Sequence, residues 1–246
     1  GCVSTGVGST DMAAAMLTGK LWFRVPEAVK IVLTGSLKRF VTGKDVILTL
    51  IGMLGVDGAT YKSLEFFGNV SALSVDDRLT IANMAVECGA KNAFFPVDEA
   101  AAEYLRSRGA EYAGSDVVIP DDDAEYGRTI ELDLSSVMPA VAFPHLPSNV
   151  KFFGKDVPEG LKIDQVVIGS CTNGRLSDMR AAASVMRGRK VADGVRCIVI
   201  PATMEVYKKC IDEGLTSVFI DSGAAVSTPT CGPCPVSYTH LTLPTT

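Results

Sequence analysis

Apolar positions along this chain recur at two periods, and the switches between them mark its elements. The run 12–17 follows Ser9-Thr10-Asp11, a capped helix start, and is stopped by Gly19. Residues 30–33 predict a short strand and 44–54 a helix ending at Gly55. Residues 62–67 alternate as a strand does and stop at Gly68-Asn69. Ser74 caps a helix over 75–88, with Asp76 and Asp77 in its first turn and Gly89 as its stop. A strand over 92–97 and a helix over 98–108 complete an α/β unit.

Residues 114–149 break the rhythm. One strand is predicted at 128–134, after which Pro139, Pro144 and Pro147 rule out a long helix and give the stretch the look of a linker. Beyond residue 162 the order is strand (165–168), helix (176–187), strand (196–200), helix (204–213) and strand (217–220). Short apolar strands alternating with helices predict an α/β fold with mostly parallel, doubly wound sheets. Ligands of such sheets gather beyond the carboxyl ends of the strands.

Composition narrows the class. The 246 residues are 47% hydrophobic and 21% charged, ordinary for a soluble globular protein. A net charge of -5 and the lack of a dense Lys/Arg run argue against a nucleic-acid partner, and no apolar stretch has membrane-spanning length. Seven cysteines without dense short spacing fit a reducing, cytoplasmic compartment. Gly1 is no initiator residue, so a preceding segment is expected to be missing. The glycines of residues 1–8 lack the lysine of a phosphate loop and read better as a tight strand-to-helix passage.

Two segments carry candidate chemistry: Gly169-Ser-Cys171-Thr-Asn-Gly174 and Thr230-Cys231-Gly-Pro-Cys234. Each was reached from a predicted strand, so both fall on one sheet edge. Three thiolates are one short of a closed zinc or iron–sulfur site, and the missing ligand would leave a metal position open to substrate. Competing readings stay open. Cys-Gly-Pro-Cys is also a thioredoxin-like redox loop, although there it opens a helix early in its domain. A structural zinc would need a fourth ligand, and the chain holds only His145 and His240. Cys2, Cys88, Cys197 and Cys210 are expected to act as small hydrophobes. Asn83 and Glu87, with Asp76 and Thr80, form a polar stripe on the 75–88 helix, read either as a solvated face or as the lining of a cleft.

The cysteine segments, extended to Val167–Arg175 and Ser227–Cys234, closely resemble the aconitase superfamily. So do Gly6-Val-Gly-Ser-Thr-Asp-Met12, Lys44-Asp-Val-Ile-Leu48, Asp57-Gly-Ala-Thr60 and Ile81-Ala-Asn-Met-Ala-Val-Glu87. Within it the likeness is to the large subunits of the isopropylmalate dehydratase and homoaconitase branch. The resemblance implies three-layer α/β/α domains and a 4Fe–4S cluster on Cys171, Cys231 and Cys234. It also implies a hydro-lyase that isomerises a hydroxy acid by dehydration and rehydration, 2-isopropylmalate to 3-isopropylmalate in the first instance. Homoaconitase, dimethylmalate dehydratase and aconitase activities are the alternatives, and a cluster-sensing RNA-binding regulator is a more distant one. Glu87 maps onto the family's cleft carboxylate and Asn83 onto its amide. A small subunit carrying a swivelling domain is the implied partner.

The resemblance further divides the chain into the end of a first domain (1–29), a second α/β domain (30–137), and a linker with an incomplete third domain (138–235). Relatives carry an Asp-Ser-His-Thr segment ahead of the position of Gly1 and substrate-clamping arginines after the last cysteine. A fragment without them is expected to be inactive by itself. Residues 236–246 do not look like the family; they resemble a translated sequencing adaptor and are expected to be a non-native, exposed tail.

Overall fold

Alternate apolar side chains decide how the first sheet packs. The computed structural model describes residues 7–110 and 117–230. Helix α1 (Ser9–Thr18) comes first, followed by β1 (Glu27–Thr34), α2 (Gly43–Leu54), β2 (Lys62–Gly68), α3 (Val75–Met84), β3 (Asn92–Phe94), α4 (Glu99–Ser107) and β4 (Arg128–Asp133). The four strands form an all-parallel sheet in the order β3-β2-β1-β4. Its register sets Ile31 beside Phe66 and Ile130, and Leu33 beside Leu132, all on one face. These side chains are buried together with Val46, Ile47, Leu50 and Ile51 of α2 and Ile81 of α3. A face this apolar has to be covered by helices, as parallel sheets require.

Two expectations change at this level. The strand expected over 92–97 stops at Phe94, because Pro96 has no N–H to give a ladder. The helix expected over 75–88 tightens into a 3-10 turn over Ala85–Cys88 before Gly89.

The Pro-spaced stretch read as a linker holds a short antiparallel hairpin, β5 (Ala140–Ala142) with β6 (Val150–Phe152). It lies against α2. Buried Asp45 makes the join: Oδ1 accepts from the Ala140 N–H at 2.7 Å, and Oδ2 accepts from the Thr42 N–H at 2.8 Å as a helix cap. Contacts accordingly gather Gly1–Val157 into one compact unit and Pro158–Thr246 into another.

An ion pair inside the first unit was not visible in the sequence. Arg78, 5% exposed, forks onto Asp98 with Nη1 to Oδ1 at 2.7 Å and Nη2 to Oδ2 at 2.6 Å. It also donates to the Leu73 and Val70 carbonyls, while Asp98 caps α4 through the Ala101 N–H. The Arg78 hydrogen bonds hold the Asp98 carboxyl below the usual carboxylate range. Removing one partner strands a buried charge, which costs roughly 3–5 kcal/mol for a fully buried pair. Asp98 is 27% exposed, so Asp98→Asn is expected to cost about 2–3 kcal/mol at pH 7. A depressed carboxylate stabilises above its unfolded pKa of about 3.9, and the benefit fades as pH falls through the lower folded value. The gap between wild type and variant in urea unfolding should therefore be full at pH 7 and shrink steadily below about pH 4.

The second unit holds β7 (Gln165–Gly169), a single helical turn α5 (Ser170–Asn173), α6 (Leu176–Met186), β8 (Arg196–Ile200), α7 (Met204–Asp212), α8 (Leu215–Asp221) and β9 (Ala225–Val226). Its sheet is parallel, in the order β7-β8-β9. The strand expected at 217–220 is a correction: those residues are helical, and the strand ahead of Cys231 is β9. Leu215 and Phe219, four apart, are both buried while Ile220 is exposed, which is a helical period. The four-residue run was too short to show it. Among the described residues no helix is long and apolar enough to cross a membrane.

Candidate active site

Cys171 owes its place to a backbone that only a few residue types can follow. Strand β7 ends at Gly169, whose φ of 97° lies in the region open to glycine. A Cβ there would stand 2.1 Å from the Ile200 carbonyl oxygen, so any side chain would push β7 away from β8. Ser170 follows at φ 83°, an uncommon conformation for a residue with a Cβ. Backbone held this way costs energy and persists only where its surroundings enforce it. Here it turns the chain off the sheet edge within one residue and sets Cys171 on α5 as an exposed free thiol.

The remaining described cysteines behave as expected. Cys88, Cys197 and Cys210 are buried and free, and burial pushes all three thiols up. The Cys88 thiol donates to the Ala85 carbonyl at 3.1 Å. A buried thiol that keeps its proton neither attacks nor binds metal. Cys171 is thus the exposed one of the four.

The sheet order fixes where the chain leaves β9 ahead of the second cysteine segment. β7 and β9 flank β8 in parallel, with Gly169 paired to Ile200 and Val226 to Val199. Both loops consequently leave the same carboxyl edge, with one strand between their roots, on the order of 10 Å at 4.8 Å per strand. The Ser227 N–H still bonds the Val199 carbonyl at 2.9 Å, so the chain is held to the sheet as it departs toward Thr230. Cys2, Cys231, Cys234 and residues 236–246 lie outside the described residues. Among the described residues, no group of three or more His, Cys, Asp or Glu side chains is placed to hold a metal ion. Cysteine is the donor that iron–sulfur clusters take, and Cys171 is available to supply one.

Asn83 and Glu87 belong to the first unit. Asn83 is exposed near the end of α3, and Glu87 is half-buried on the 3-10 turn that follows. The stripe is not solvated along its length, because Thr80 is only 1% exposed. The turn under Glu87 is braced by Asp57-Gly-Ala-Thr60: the Ala59 N–H donates to the Cys88 carbonyl and the Tyr61 N–H to the Gly89 carbonyl, both at 2.9 Å. Gly89, at φ 84°, allows this, since a Cβ would stand 2.9 Å from Thr60 Oγ1. The motif Asp57–Thr60, which the sequence offered without a role, is in this way a backing for the Glu87 turn.

Two units, each with an all-parallel sheet flanked by helices, define an α/β protein. The profile of the aconitase family (aconitate hydratase) matches residues 1–240. The chain belongs to the aconitase family. It is 58% identical over 235 residues to the 3-isopropylmalate dehydratase large subunit of Acetivibrio thermocellus, covering 95% of this chain and 55% of that one. The protein of the same name from Clostridium kluyveri is 58% identical over 237 residues, with the same coverages. That from Caldicellulosiruptor saccharolyticus is 55% identical over 235 residues, 95% of this chain and 54% of the relative. The chain spans about half the length of the curated relatives it matches.

Proposed function

We propose that this chain is part of an iron–sulfur hydro-lyase that converts 2-isopropylmalate to 3-isopropylmalate in leucine biosynthesis. The observation that carries the reading is the exposed Cys171 thiol, turned off the end of β7 by Gly169 and Ser170, in a chain 58% identical to large subunits of 3-isopropylmalate dehydratase. Cys171, Cys231 and Cys234 would be the cluster ligands. A 4Fe–4S cluster with three protein thiolates supplies one iron free to act as a Lewis acid toward a substrate's carboxylate and hydroxyl.

The chain's own residues have two tasks. The first is to present Cys171 without freedom to wander, which the Gly169–Ser170 backbone and the α5 turn serve. The second is proton movement. Elimination breaks a C–H and a C–O bond: a base takes the carbon-bound proton while the hydroxyl leaves as water on receiving another. Rehydration reverses both, so a positioned carboxyl can serve the oxygen-side transfer. Glu87 is the residue we assign to this, with the Asn83 amide to orient the substrate. The partner in this reading is the dehydratase small subunit with its swivelling domain, and the setting is the cytoplasm.

The test is a substrate profile. The full-length large subunit, joined to its small subunit and reconstituted with iron and sulfide without oxygen, is assayed on 2-isopropylmalate, homocitrate, dimethylmalate and citrate. The expected result is a kcat/KM for 2-isopropylmalate at least about 10²-fold above the others, the scale that a shaped apolar pocket can reach. Preference for another acid would reassign the substrate, and a reconstituted protein without bound iron and sulfide would end the cluster reading.

A further inference from the structure

Arg175 is bound into the Cys171 turn by both its side chain and its backbone. A one-turn helix leaves its carbonyls without the next turn's N–H groups. Arg175 answers this by sending its guanidinium backwards, Nη1 donating to the Thr172 carbonyl. Its backbone simultaneously opens α6: the N–H donates to Asp178 Oδ2 at 3.0 Å, and the carbonyl accepts from the Met179 N–H at 3.0 Å. Met179 is fully buried in the core of this unit. On the other side, the Gly174 carbonyl accepts from the Ala202 N–H at 2.7 Å, just past β8. The cysteine turn is thereby clamped between a core-anchored helix and the central strand. No other cation lies between Gly169 and Arg175 in the sequence.

We infer that Arg175 is a positioning residue for the iron–sulfur ligand turn. Its cation holds the Thr172 carbonyl, and through it the Cys171 sulfur, in place, and it offsets the negative charge that bound thiolates bring to this sheet edge. Groups just behind metal ligands commonly set ligand orientation and metal retention, and a planar guanidinium is suited to the task. This inference rests on the cluster reading above.

The experiment compares the reconstituted full-length large subunit as wild type, Arg175→Gln and Arg175→Lys. It follows iron and sulfide per chain, the rate of cluster loss to an iron chelator, the EPR spectrum of the oxidised three-iron form, and the melting midpoint of the apoprotein. Arg175→Gln is expected to lose its cluster about 10–100-fold faster, the usual cost of removing a group that orients a metal ligand. Its EPR signal should shift while the apoprotein midpoint stays within about 2 °C, and lysine should recover a large part of the loss because it restores the cation. A loss rate in both variants within about twofold of wild type, with unchanged EPR, overturns the inference. So does a melting midpoint that falls in step with cluster loss and is not rescued by lysine, which makes the residue part of the scaffold only. A wild type that takes up no cluster at all sinks the functional reading, and this inference with it.

Discussion

Cys171→Ser in the full-length enzyme is expected to leave a folded protein that has lost most of its iron and nearly all of its turnover. Serine is close to isosteric with cysteine, and position 171 is exposed, so the fold has little reason to respond. The hydroxyl, however, is a poor replacement for a thiolate toward iron. A Lewis acid worth several kcal/mol of transition-state stabilisation is lost with the cluster, and at about 1.36 kcal/mol per tenfold this amounts to roughly 10³-fold or more in kcat. The controls are internal to the chain. Cys88→Ala, Cys197→Ala and Cys210→Ala remove buried thiols and should lower stability while full iron content is kept, as read by iron assay and melting. Normal iron content in Cys171→Ser would remove that residue from the ligand set.

Glu87→Gln should separate chemistry from cofactor. The amide keeps the size and the hydrogen-bonding shape of the carboxylate but can neither donate nor accept the transferred proton in its place. Loss of a positioned acid–base group lowers kcat by roughly 10²–10⁴. Cluster content should be unchanged, because Glu87 is not among the proposed ligands and the turn over Ala85–Cys88 keeps its backbone bonds from Ala59 and Tyr61. Wild-type turnover with a fully loaded cluster would reduce Glu87 to an ordinary surface residue. A lost cluster would give it a structural role instead.

Much of the fold could be read from the chain because its punctuation is local. Ser74 with Asp77 is a capping pair whose meaning lies within four residues, and Gly19, Gly55 and Gly89 close their helices where expected. What escaped depended on partners distant in sequence. The hairpin at Ala140–Phe152 exists because Asp45, some 95 residues earlier, accepts the Ala140 N–H. Arg78 carries no local signal of its partner, because Asp98 comes under it from twenty residues further on. Residues 217–220 were ambiguous for another reason: four apolar residues fit either period, and only the burial of Leu215 and Phe219 decides. At the site, the motif glycines and Cys171 were legible as letters. The reason for Gly169, a carbonyl of the neighbouring strand at 2.1 Å from any Cβ, is a tertiary fact. Arg175 could be quoted from the motif, but its backward bond could not.

The middle place of β8 bears on when the proposed cluster could be received. Among the described residues β7 and β9 each pair with β8 and not with each other, and β9 is two residues long. The two cysteine segments stand sixty residues apart in the chain, and a ring of that length is closed late, after its loop entropy has been met by the intervening helices and strands. In an unfolded chain only the two thiols of Cys231-Gly-Pro-Cys234 are near neighbours along the sequence. In the proposed enzyme the three-thiol receptor would therefore be a product of the finished domain, and its inorganic cargo would be delivered to folded protein rather than to the nascent chain.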